Sequence, residues 1–142
     1  MSASISKERP ILVKEVSVMA WIEDAFGNVL FVKQKAGKRL WTLPGGKVKP
    51  TESLLEALSR EIKEELGLGT KAMRLLAIYD RPERAGLSVL FRVSLKLGAF
   101  NPKATEIEQI AFRKALPVRC TPSAKYFWSH AERDLPAARS RR

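Results

Sequence analysis

Residues 45–68 read GGKVKPTESLLEALSREIKEELGL, and the reading of this stretch decides the fold. Its second half carries helix signals: Ser53, or Thr51 just before it, suits an N-cap, and Gly67 stands where helices stop. Between them lie strong helix formers and no proline. At about 100° per residue, Leu54, Leu55, Leu58, Ile62 and Leu66 fall within roughly 120°, a stripe expected to face a core. Glu61 lies beside that stripe, Glu64 further round, and Glu65 inside it. A helix built only for solubility would not place a carboxylate among its leucines.

Glu61 and Glu65 form an i,i+4 pair and Glu61 and Glu64 an i,i+3 pair, so their charges oppose helix formation by a few tenths of a kcal/mol each. Burial adds to that cost unless the carboxylates protonate or a cation sits among them. Oxygen donors with no histidine or cysteine nearby suit a hard ion, Mg²⁺ or Mn²⁺. Arg60 is four residues before Glu64, placed to hold that carboxylate, and small Ala57 leaves the acids approachable. The competing reading is a charged, solvated helix face. The preceding turn, Leu43-Pro44-Gly45-Gly46, favours the ion, because two glycines let backbone come close to a ligand.

Gly46, five residues, Glu52, seven residues and then Arg60-Glu61-Ile62-Lys63-Glu64-Glu65-Leu66-Gly67-Leu68 resembles the box of the Nudix (MutT-like) hydrolases at every defining position. Trp41-Thr42-Leu43-Pro44-Gly45 is the lead-in common in that family. Lys49 and Thr51 depart from the commonest flanking residues, Glu and Gly, which touches the loop and not the defining pattern. The resemblance implies an α+β fold, an α/β/α sandwich with a mixed β-sheet, the box helix packed on it and a C-terminal helix. It also implies that Glu61, Glu64 and Glu65 are metal ligands, with the Gly45 carbonyl as a further ligand and Arg60 orienting a glutamate. Glu52 and Gly67 take structural places in the box. One more acid is expected from outside it; Glu106 is chosen over Glu108 and Glu83. Substrate contacts are expected from Arg39, Trp41, Gly46, Lys47, Arg81 and Arg84, the last two in a loop resembling those of ADP-ribose-type members.

The 142 residues suffice for one compact domain, with 45% hydrophobic residues in the ordinary globular range. No apolar run approaches the roughly 20 residues of a membrane span, and the N-terminus lacks an apolar signal core. The single cysteine, Cys120, excludes an internal disulfide and points to a reducing cytoplasm. Cys120 reads as an inert thiol and His130, the one histidine, as a packing or surface residue. The formal charge is +11, yet five of the 15 acids crowd between Glu52 and Glu65. The rest is therefore more basic still, a surface that attracts nucleotides and RNA alike.

Residues 1–12 read as a flexible lead-in, 13–135 as one domain and 136–142 as a basic, disordered tail. Strands are expected at 13–23 and 29–35, joined as a hairpin by turn residues 24–28. Further strands are expected at 71–79, 87–97 and 106–113, with loops at 80–86 and 98–105. Thr121-Pro122 starts a helix running to about Asp134, with Tyr126, Phe127 and His130 together on its surface and Pro136 ending it. Lys33, Lys35, Lys38 and Arg39 either hold phosphates or solubilise the chain. Trp41 either packs under the glycine turn or stacks on a ligand. No Walker-type loop is present, since Gly37-Lys38 and Gly46-Lys47 lack a following Ser or Thr.

The expected activity is metal-activated hydrolysis of the diphosphate linkage in a nucleoside diphosphate derivative, whether a nucleoside triphosphate or an ADP-ribose-like molecule. The alternatives are an RNA 5′-end pyrophosphohydrolase and a non-catalytic nucleotide- or RNA-binding module of the same fold. A small nucleotide is the expected partner, with RNA contact through the basic surface as an addition; a dimer is compatible with the sequence but not specified by it.

Overall fold

The computed structural model describes residues 10–103 and 105–134, with side chains of the last helix followed to residue 130. Most of the expected lead-in, the tail at 136–142 and Pro136 lie outside the described residues. The elements run β1 (Glu15–Trp21), β2 (Val29–Gln34), β3 (Trp41–Thr42), β4 (Gly45–Lys47), α1 (Leu54–Leu66), β5 (Thr70–Arg81), a 3₁₀ turn (Pro82–Arg84), β6 (Gly86–Leu95), β7 (Ile107–Arg113) and α2 (Pro122–Asp134).

Two sheets result, a four-stranded one in the order β4-β1-β6-β5 and a three-stranded one in the order β3-β2-β7. The first is mixed: β1 runs parallel to β6 and antiparallel to β4, while β5 and β6 are antiparallel. Strand side chains alternate between faces, and here both faces are covered. Val18 and Ala20 of β1, Leu30 and Val32 of β2, and Val89 and Phe91 of β6 pack with Leu58, Ile62 and Leu66 of α1. Their neighbours Met19, Trp21, Val29, Phe31 and Leu90 pack on the other side with Ala124 and Phe127 of α2. Covering both faces explains why β1, β2 and β6 read as nearly unbroken apolar runs. The layers are helix, sheet and helix, an α+β sandwich. Among the described residues, no helix is long and apolar enough to cross a membrane.

Helix α1 starts on Ser53, whose hydroxyl accepts from the Glu56 N–H at 3.1 Å while the Glu56 carboxylate accepts from the Ser53 N–H at 2.8 Å. It stops at Gly67, which takes the left-handed conformation with φ 77° and donates its N–H to the Lys63 carbonyl. Its buried face differs from the expected stripe. Leu54 and Leu55 stay 37% and 44% exposed, and the buried set is Ala57, Leu58, Ile62, Glu65 and Leu66. Ala57 widens the buried arc and puts Glu65 near its middle, while Leu54 and Leu55 lie on the same side but in the first turn, ahead of the first buried residue.

Three other expectations change. The turn after β1 forms, with Asp24 accepting from the N–H groups of Phe26 and Asn28, but β1 and β2 do not pair as a hairpin. A strand has two edges; those of β1 are taken by β4 and β6, and those of β2 by β3 and β7. Only the Glu23–Val29 bridge remains between them. The 43–46 turn contains ladder residues, since Gly45 and Gly46 pair with Met19 and Val18. Phe127 is fully buried rather than on the surface of α2. Thr121 does cap that helix, accepting from the Ala124 N–H at 3.3 Å and reaching the Thr42 hydroxyl at 2.9 Å.

Candidate active site

A cleft of about 460 Å³ opens where β4, α1 and the start of β7 meet, lined by Gln34, Thr42, Gly46, Glu61, Glu65 and Glu106. Glu65 is only 6% exposed, yet it is a carboxylate. Its neighbours explain how it is tolerated. The Gly45 N–H donates to it at 3.1 Å, and it shares a hydrogen bond with Glu61. Burial pushes the Glu65 pKa up to about 9, the Gly45 N–H opposing and the charges of Glu61 and Glu106 adding to the rise. Burial also raises Glu61, against the hydrogen bond from Glu65 and the nearby Arg60 guanidinium.

The two glycines bring this pair against the sheet. Ala20 donates to the Pro44 carbonyl at 2.8 Å and Val48 to that of Val16 at 2.9 Å. Hydrogen-bonded positions alternate along an antiparallel ladder, so Gly45 falls at an intervening position and turns its N–H and carbonyl away from β1. A Cβ on Gly45, at φ 149°, would lie 2.0 Å from the Val18 carbonyl oxygen; one on Gly46 would lie 2.3 Å from Glu61 Oε2. Glu61 thus rests directly on the Gly46 backbone.

Arg60 ties the helix to the loop that precedes it. Its Nε and Nη2 meet the two oxygens of Glu52 at 2.6 and 2.9 Å, Nη2 also reaches the Lys47 carbonyl at 3.1 Å, and Nη1 meets Glu61 Oε2 at 3.1 Å. Its contact with Glu64, the partner expected from i,i+4 spacing, is the longest at 3.4 Å. A bidentate fork on Glu52 outcompetes the local pair. That fork holds Glu52 down to about 2, helped by the Lys49 N–H. A depressed carboxylate stabilises the fold above its unfolded pKa, near 4.5, and the effect is lost as pH falls through about 2. Glu52→Gln should therefore melt below wild type at pH 6, and the two melting temperatures should converge on acidification toward pH 2. A gap that persists unchanged into acid would show that the Arg60–Glu52 pair is not its source.

The remaining sequence candidates are dispersed. Glu106 stands at the cleft, just before β7, across from Glu61 and Glu65. Glu64 does not line the cleft; its side chain is 45% exposed and turned to Arg60. The Lys47 side chain points to Glu15 at 3.1 Å, 72% exposed. Arg39 and Trp41 line a different pocket. Arg81 hydrogen-bonds Ser88 at 3.0 Å at the end of β5, the edge strand farthest from β4, and Arg84 lies in the following 3₁₀ turn; the structure brings neither to the cleft. Glu108 is paired with Arg39, and Glu83 sits beside Arg84. Cys120 bridges to Trp41, its thiol pushed up by burial, and His130 contacts the Tyr126 carbonyl at 3.0 Å. Gly67 meets Asn101 so closely that a Cβ would lie 2.0 Å from its carbonyl oxygen. Sequence reasoning missed Gln34 and Thr42. The signal for Gln34 was alternation, since it is in phase with Leu30 and Val32 where an apolar residue would otherwise belong.

Among the described residues, no three acidic, thiol or imidazole side chains stand together as a ready metal-binding group. The donor set nevertheless fits a hard cation: two carboxyls held in contact at a cost in protonation, a third across the cleft, and a backbone carbonyl outside the ladder. A roomier cavity, about 600 Å³, lies elsewhere, with Glu23, Arg74 and Arg92 in its lining and no box residue.

The NUDIX domain family matches residues 13–127. Over 100 residues (69% of this chain, 66% of the other) it is 35% identical to a Bacillus subtilis protein named as a candidate 8-oxo-dGTP diphosphatase. Over 82 residues (56% and 48%) it is 40% identical to an ADP-ribose pyrophosphatase of Methanocaldococcus jannaschii. The chain spans between a third and two thirds of the length of the first curated relatives it matches. Among solved structures, a MutT NUDIX hydrolase from Burkholderia pseudomallei superposes with a TM-score of 0.70 at 26% identity, covering 80% of this chain and 94% of that one.

Proposed function

The chain belongs to the NUDIX family, and from that premise we propose that it is a pyrophosphohydrolase acting on the diphosphate linkage of a nucleoside diphosphate derivative. The observation that carries this reading is the buried Glu65, held against Glu61 and the Gly45 N–H with its pKa raised to about 9. Perturbed carboxylates in a cleft mark functional sites. Family members generally depend on a divalent metal; Mg²⁺, with Mn²⁺ as a substitute, suits the all-oxygen donors here.

Glu61, Glu65 and the Gly45 carbonyl would hold the ion, with Glu106 opposite and Glu64 joining once released by Arg60. When bound, a divalent cation offsets charge on phosphate oxygens and lowers the pKa of water. Arg60 keeps Glu61 in place while anchoring the helix to Glu52 and the Lys47 carbonyl. Glu106, which also lines the cleft, would accept a proton there or add a further oxygen ligand. Gly46 presents bare backbone at the cleft, and Gln34 and Thr42 offer hydrogen bonds on its sheet wall. A single cysteine and a basic surface support a cytoplasmic setting with polyanionic substrates.

A panel of CTP, 8-oxo-dGTP, ADP-ribose and 5′-triphosphorylated RNA, each with Mg²⁺ and with EDTA, tests the proposal. Release of a nucleoside monophosphate, phosphosugar or pyrophosphate from at least one substrate, abolished by EDTA, is expected. Metal-independent release, or none from any of the four, would overturn it. The RNA arm is included because a 57-residue stretch is 37% identical to an RNA pyrophosphohydrolase of Teredinibacter turnerae.

A further inference from the structure

A second pocket, of about 340 Å³, lies behind the cleft and is lined by Lys33, Lys38, Arg39, Trp41, Arg113 and Arg119. Register places it on the opposite face of the three-stranded sheet. Val32 pairs with Thr42, and both residues line the carboxylate cleft; the next pair along, Lys33 with Trp41, lines the second pocket. Successive strand residues point to opposite faces, so the sheet itself separates the two. Arg39 and Trp41, grouped with the box from sequence, belong to this other face.

Five cationic side chains gather there, and one carboxylate answers them. Glu108 accepts from Arg39 Nε at 2.8 Å and stands 3.8 Å from Lys33 Nζ. Lys38, Arg113 and Arg119 make no ion pair with a described carboxylate; Arg119 instead donates to the Lys38 carbonyl at 2.8 Å. Trp41 is not open to a stacking base. The Arg113 guanidinium lies 5.2 Å from its ring centre and Lys33 Nζ 6.0 Å. The indole therefore serves as a floor that positions cations. Like charges brought together repel by an amount that an anion relieves, and arginine forks match phosphate oxygens.

We propose that this pocket is a phosphate-binding site, distinct from the hydrolytic cleft, that takes the phosphate groups of a polyanion. The ligand is either free polyphosphate or the phosphodiester backbone of single-stranded RNA; the chemistry recognised is the same. The inference does not rest on the hydrolase reading, because the carboxylates and any metal lie across the sheet.

Binding in EDTA separates this site from the cleft. Calorimetry would measure inorganic tripolyphosphate, and anisotropy a labelled oligouridylate lacking a 5′ phosphate. Lys38→Gln with Arg119→Gln removes two cations that have no carboxylate partner among the described residues; Arg113→Gln, which leaves the Arg119 bond intact, is the second variant. Lys71→Gln with Arg74→Gln, exposed on β5, is the charge-matched control. Both pocket variants should weaken binding about tenfold or more, with the control within about twofold. Loss for tripolyphosphate alone identifies free polyphosphate, and loss for the oligonucleotide identifies backbone phosphates. Equal weakening by pocket and control variants would reduce the site to diffuse charge and overturn the proposal, as would unchanged affinity for both ligands in the folded pocket variants.

Discussion

Glu65→Gln should lower kcat at least about a hundredfold while raising the melting temperature of the metal-free protein at pH 8. The two effects have one origin. In the unfolded chain the Glu65 carboxyl titrates near 4.5, whereas burial beside Glu61 moves it to about 9 in the fold. Between those values the folded state holds more protons than the unfolded one, so stability falls as pH rises. The contribution of the protonated side chain is complete below about 4.5 and is lost as pH passes through about 9. Glutamine cannot ionise, keeps an oxygen for the Gly45 N–H, and removes that loss. A gain of several degrees at pH 8 that vanishes near pH 4 is expected. Adding Mg²⁺ should stabilise wild type more than the variant. Wild-type turnover by Glu65→Gln would sink the proposed role of this carboxylate, and a melting curve with no change in pH dependence would sink its assigned burial. Glu61→Gln should lose comparable activity with less gain in stability, because Arg60 already compensates its charge.

How much of this could be read from the chain depends on which interactions are local. The α1 ends were legible because capping is a matter of a few adjacent residues: Ser53 and Glu56 at one end, Gly67 at the other. Glu65 among buried leucines was legible from periodicity alone. What periodicity could not give was how much of the helix overlies the sheet, and so Leu54 and Leu55, on the right face but in the first turn, were assigned to a core they do not reach. The β1–β2 hairpin failed for a nonlocal reason. The turn chemistry at Asp24 is real, but the edges of both strands are claimed by partners distant in sequence. Of the partners of Arg60, the spacing rule found Glu64 at four residues but not Glu52, which the loop folds back into a shorter, bidentate grip. Arg39 and Trp41 stand near the box in sequence and behind it in space, because one residue of strand phase sends a side chain to the other face.

Gly45→Ala and Gly46→Ala, adjacent and chemically identical changes, should fail in different ways. At Gly45 the new methyl meets backbone, 2.0 Å from the Val18 carbonyl oxygen, at a φ of 149° that alanine rarely adopts. Strand β1 is buried on both faces and cannot yield, so a loss of roughly 3 kcal/mol or more is expected. For a domain of this size that corresponds to roughly 10 °C in melting temperature. At Gly46 the obstruction is Glu61 Oε2, 2.3 Å away, the end of a side chain with rotatable bonds. Glu61 can swing aside at small cost to folding, within about 1 kcal/mol, but its carboxylate then leaves Glu65 and the cleft. Displacing a reacting group by about an ångström can cost a hundredfold in rate, so Gly46→Ala should stay folded and lose between about tenfold and a hundredfold in kcat. Thermal melts and steady-state kinetics on the two variants decide the matter. A folded Gly46→Ala enzyme with undiminished kcat would mean that the contact between Glu61 and the bare backbone of β4 plays no part in catalysis, whatever the family resemblance of the surrounding residues.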